Sequence, residues 1–236
     1  MSTKVNTAIT PSLHPDVVKS IDGYDEDTAA VLGPTGTAFS TAYNALGDLQ
    51  AARKDGEKNQ AWTPEILTIK LDDLASKKMN HITRTFDAEI ERLNKGIHFL
   101  ETELSQPVES QAVGSMAAEI RAYAKSLQTG ELMTFIQQAI EDGDTLTVSS
   151  VLGGPAYLSG LDPKLSAVLL RQYHAKHNPE KAKRLKVMQG ARDLIYANAG
   201  KVFPAMVKIV GAHPDKAKKL RDANTAAEKH FAMHGS

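Results

Sequence analysis

Histidine pairs at metal-ligand spacing are the first feature of this 236-residue chain that could do chemistry. His174 and His177 lie three apart, and His230 and His234 four apart, so on a helix each pair would share a face. Neither pair has a third ligand at suitable spacing, and both read as surface histidines beside basic neighbours. Carboxylates come next. Asp72-Asp73, and Glu89 with Glu91, fall on the polar side of a helical pattern and read as solvating charges, because acid–base work needs a placed pair. Gly33-Pro34-Thr35-Gly36 and Gly153-Gly154 are glycine-rich, but neither has the Gly-Lys-Ser/Thr ending of a phosphate loop. There is no Gly-x-Ser-x-Gly and no His-Glu-x-x-His. With no cysteine, thiol catalysis, disulfides and cysteine zinc sites are excluded. The expectation is no metal, no cofactor and no enzyme.

Two basic clusters remain. Lys181, Lys183, Arg184 and Lys186 form one, and Lys216, Lys218, Lys219 and Arg221 the other. Together they are candidates to track phosphates without regard to sequence. No aromatic platform lies between them, which argues against single-strand stacking. The alternative partner is acidic protein. Net charge is zero, yet residues 1–62 carry 5 basic and 8 acidic side chains, 63–150 carry 8 and 14, and 151–236 carry 15 and 6. The basic last third therefore has acidic partners within its own chain or in a neighbouring one.

Helices must position all of this. Apolar residues make up 42% of the chain, aromatics only 6%, and much of the remainder is alanine, a composition suited to closely packed helices. The longest uninterrupted pattern runs from Thr63 to Gln106. Thr63 is the expected cap, Pro64 fits the first turn, and Pro107 ends or restarts the helix. Such a helix would span roughly 60 Å. Phe86, Ile90, Leu93, Ile97, Leu100 and Leu104 follow steps of four and three, the seam of a coiled coil. This seam either packs inside the chain's own bundle or forms an interface with a second chain. Ile66, Ile69, Leu74, Met79 and Ile82 share only a broad face.

Residues 1–36, broken by prolines and glycines, read as an arm, with a short helix from Thr37 to Lys54. Beyond Pro107, a helix near Glu109–Leu127 has Val113, Met116, Ile120 and Tyr123 or Ala124 as its inward stripe. Shorter helices follow at Glu131–Glu141 and from Asp144 through Val151. Asp162-Pro163 and Asn178-Pro179 open two more, with a break or kink near Gly200. Asp215 starts the last, with Leu220, Ala223, Ala227 and Phe231 inward. The fold class is all-α: a long central coiled-coil-like helix with a smaller multi-helix C-terminal domain. The expected divisions are an arm over 1–62, the long helix and its partner over 63–128, and a C-terminal domain over 129–236. No run of eighteen apolar residues spans a membrane, and the first ten residues hold no secretory signal.

The phrases GDTLTVSSVLGGPAYLSGL, NPEKAKRLKVMQGARDLIYANAGKVF and HPDKAKKLRDANTAAEKHF resemble the C-terminal part of uncharacterised helical proteins from the virion-morphogenesis regions of tailed bacteriophages and prophages. The resemblance covers roughly residues 131–232 and brings no catalytic residues with it. It implies a structural or assembly protein of a phage particle, located in the virion or in host cytoplasm during assembly. Its partners would be further copies of itself or other virion proteins. The alternatives are a DNA-contacting virion protein using its basic last third, and an enzyme with a site no motif marks.

Overall fold

A computed structural model describes residues 9–234, apart from the side chains at 107, 110 and 230–234. Ten α-helices and two short 3-10 turns, with no strand, make up the described residues. The helices are α1 (Glu26–Gly56), α2 (Pro64–Gln111), α3 (Ser115–Ser126), α4 (Thr129–Asp142) and α5 (Thr145–Leu152). They continue with α6 (Ala156–Ser159), α7 (Pro163–His177), α8 (Pro179–Ala199), α9 (Val202–Val210) and α10 (Pro214–His234). The all-α class with a long helix and a smaller helical C-terminal region is thus what the chain forms. Compact units do not fall at 62 and 128, however. One consists of Met1–Leu93 with Gly190–Ser236, the other of Asn94–Gln189, so α2 and α8 each contribute to both.

In the first unit the expected arm is largely structured. Ile9, Leu13, Val18 and Ile21 are buried along the 3-10 turns at Pro11–Leu13 and Pro15–Ser20, which pack on α1. α1 begins at Glu26, not Thr37. Asp25 starts it: its Oδ1 accepts from the amides of Asp27 and Thr28, while the Thr28 hydroxyl accepts from Asp25's amide. The helix runs through Pro34, where the missing N–H forfeits one backbone bond. Tertiary contacts hold that turn. Thr35 is fully buried, and the Arg92 Nη2 donates to the Val31 carbonyl at 3.1 Å. Paired residues set α1 antiparallel to the first part of α2. Phe39 meets Phe86 edge-on at 5.4 Å, Asp48 pairs with Lys78 at 2.7 Å, and Leu67 fills the space a Cβ at Gly56 would need. α9 packs on α1, and Arg53 Nη1 donates to the Ile209 carbonyl at 2.6 Å. The break near Gly200 is present, between α8 and α9. In α10, Ala217 is buried and Leu220 half-buried, but Ala223 and Ala227 are exposed, unlike the inward stripe expected there; Phe231 lies outside the described side chains.

The second unit wraps α3, α4, α6 and α7 around α5. Thr147 through Leu152 are all buried, so α5 is enclosed on every side, its small polar Thr147, Ser149 and Ser150 included. Asp144 caps it through the Thr147 amide at 3.0 Å. Gly143 closes α4 with φ +73, a left-handed conformation that favours glycine. α2 does not stop at Pro107 but continues to Gln111. The lost backbone bond is offset by burial of Val108 beyond it. Gly153 lies so close to the Val108 carbonyl that no Cβ fits there.

Candidate functional site

The coiled-coil seam is occupied by this chain itself. Phe86, Leu93, Ile97, Leu100 and Leu104 are buried in the single chain, and Ile90 is half-buried. A second chain would have to displace the packing around them, so the seam is not a free interface. The heptad also slips in the middle. Glu89 is buried at 5% exposure where the pattern placed only Ile90. Steps from Phe86 to Glu89 to Leu93 are three and four, so the signal was present in the spacing and hidden by the charge.

That carboxylate is fully engaged. The Thr35 hydroxyl donates to Glu89 Oε1 at 2.6 Å, and Arg92 donates to both oxygens at 2.7 Å. Glu89 beside it raises the pKa of Arg92 above its ordinary value. Asp72 is likewise buried, not solvated, and with Asp73 it receives Arg221 Nη2 at 2.8 and 2.6 Å. Glu91 has a partner of its own. Asp72, Asp73 and Glu89 thus sit in ion pairs with Arg221 and Arg92.

The same pairs absorb part of the basic clusters. Lys181 faces Glu103 at 3.2 Å, Arg184 lines a hollow with Glu103 and Glu180, and Lys183 and Lys186 are engaged as well. Lys216, Lys218 and Lys219 are exposed beside Arg221. The first cluster belongs to the second unit and the other to the first.

His174 is not a surface histidine. It is 7% exposed with an unpartnered Nδ1, and its ring lies edge-on to Tyr173 at 5.5 Å. Burial pushes its pKa down, and the nearby His177 adds to the shift. His177 is exposed and lies against the Tyr173 ring at 4.6 Å. No group of three potential metal ligands occurs among the described residues, and the side chains of His230 and His234 lie outside them.

Of the inward stripe expected around α3, Ala124 is buried and Ile120 half-buried, but Val113, Met116 and Tyr123 face outward. Ala117 and Ala124 are buried against the unit's core, whereas Val113, Met116 and Tyr123 are 76%, 59% and 56% exposed. Ile120 is half-buried between the two faces. Small side chains let α3 approach α5 closely. The large apolar Met116 and Tyr123 are left on the outer side of α3, Tyr123 edge-on to Phe135 at 5.4 Å, and Val113 lies in the link before the helix. Tyr157 and Leu158 of α6, which packs on α3, are exposed too. No helix among the described residues is long and apolar enough to cross a membrane. Compared with known proteins, the chain matches no family model, no curated sequence and no solved structure.

Proposed function

We propose that this chain is a non-enzymatic structural or assembly protein of a tailed-phage particle, acting through helix-mediated contacts with other protein chains. The observation that carries the contact function is the outer side of α3. Exposed Met116 and Tyr123, two turns apart on α3, with exposed Val113 in the link just before it, are apolar surface that a partner would cover. The phage assignment rests on the resemblance of the 131–232 segment. The partner is a second copy or another virion protein, bound on the second unit and not along the buried seam. DNA contact is the second reading. Exposed Lys216, Lys218 and Lys219 favour it, while the ion pairs of Lys181 and Arg221 weigh against one continuous phosphate track. Co-expression with candidate virion proteins, followed by native mass spectrometry, tests the reading. Wild type is expected in a complex that Met116→Asp with Tyr123→Asp abolishes. Salt-sensitive binding of random-sequence duplex DNA, with no protein complex, would favour the second reading.

A further inference from the structure

Within the first unit, α1, α9 and the segment Ile9–Thr10 border a groove of about 1050 Å³, just above the range of about 300–1,000 Å³ for small-molecule sites. Its charge is one-sided: among the described residues Arg53, Lys54, Lys201 and Lys208 line it against one carboxylate, Glu57. Arg53 is already spent on Glu57 and the Ile209 carbonyl, which removes the guanidinium suited to gripping a phosphate with two bonds. Lys201 donates only to the neutral Asn198 Oδ1, and Lys208 makes no hydrogen bond or ion pair among the described residues. The lysines are seven residues apart, two turns of helix. Between them the accessible apolar lining is Ala51, Pro204 and Ala205, beside the polar Thr10 and Gln50, with Leu46 and Ile209 buried below and no aromatic ring among the described lining residues for a base to stack on.

Gly47 lies in the same groove. It occupies the interior of α1, where glycine weakens a helix relative to alanine. Packing does not require it, because a Cβ at Gly47 would have nothing within 4 Å. A side chain at Gly47 would enter open space beside the groove that Gly47 lines.

We infer that this groove binds an acidic amphipathic helix of a partner protein, apolar face down and carboxylates toward Lys54, Lys201 and Lys208. The charge excess selects acidic chains, the apolar part of the lining distinguishes a helix from a bare polyanion, and the two-turn lysine spacing matches carboxylates repeated at helical intervals. The inference rests on the assembly reading and names the partner's chemistry.

The test uses the full chain and a fluorescent peptide of about four helical turns, with leucine along one face and glutamate along both edges. Anisotropy is expected to show saturable binding, and the same peptide with lysine for glutamate is expected not to bind. Gly47→Gln is expected to weaken binding at least about tenfold with a melting temperature no lower than wild type. Lys201→Glu with Lys208→Glu is expected to do the same by charge. Unchanged affinity in both variants, equal binding of the lysine peptide, or displacement of the peptide by random-sequence DNA at equal concentration overturns the inference. A chain found in particles that ignores the peptide loses this inference alone. A chain that binds it but is absent from particles loses only the phage assignment.

Discussion

The Thr35–Glu89–Arg92 network makes a buried carboxylate tolerable by filling its acceptor positions, and it ties α1 to α2 next to Pro34. Glu89→Ala is expected to cost about 1.5–3 kcal/mol, the range for hydrogen bonds to charged groups, and Thr35→Val about 0.5–1.5 kcal/mol. Urea unfolding measures both; a neutral Glu89→Ala would show that the network is ornamental. His174 adds a pH dependence. Its pKa is lowered from 6.5 by burial first and by His177 second. Below 6.5 the unfolded chain takes up the proton before the folded one does, so the unfolded state binds more protons. Its contribution to stability is therefore full above 6.5 and is lost as pH falls through the folded value. His174→Leu is expected to flatten that slope, read from melting temperatures between neutral and mildly acidic pH.

Element by element, α3 is where patterning and packing disagree most. Ala117→Leu and Ala124→Leu should destabilise by about 1–3 kcal/mol through overpacking. Met116→Gln and Val113→Thr should stay within about 0.5 kcal/mol. The opposite order would put the large residues inside after all. Along α2, Leu93→Ala should cost about 2–5 kcal/mol, with a melting temperature independent of protein concentration, because Leu93 is buried in its own chain. Local signals of starts and stops were legible in the residues: Asp144, Asp162-Pro163 and Asn178-Pro179 open helices, and Gly143 and Gly211 close them in left-handed turns. What misled were Pro34 and Pro107, both carried inside helices by burial on either side that no local rule contains. The α3 face was illegible for a related reason. Alanine gives little hydrophobic signal, yet close approach to α5 selects it over methionine and tyrosine.

For the whole molecule, chain order and compact units differ: α2 and α8 pass through both. Sequence segments at 62 and 128 could not show this, because the first unit joins residues far apart in the chain, as in the contact of Arg53 with Ile209, 156 positions on. The carboxylates and cations read as separate surface features meet as pairs for the same reason. What stays outward is apolar on the second unit and basic in the groove of the first, and on this account both are places for other protein chains. Met116→Asp with Tyr123→Asp should leave the fold intact, because those side chains are exposed, while removing the chain from its assembly. The most direct measurement is peptide mass spectrometry of density-purified phage particles and their assembly intermediates from the source cells, comparing wild type with this double variant. The account predicts wild-type peptides in the particles or in an intermediate, and none from the variant. Absence of wild-type peptides from every particle and intermediate fraction would contradict it.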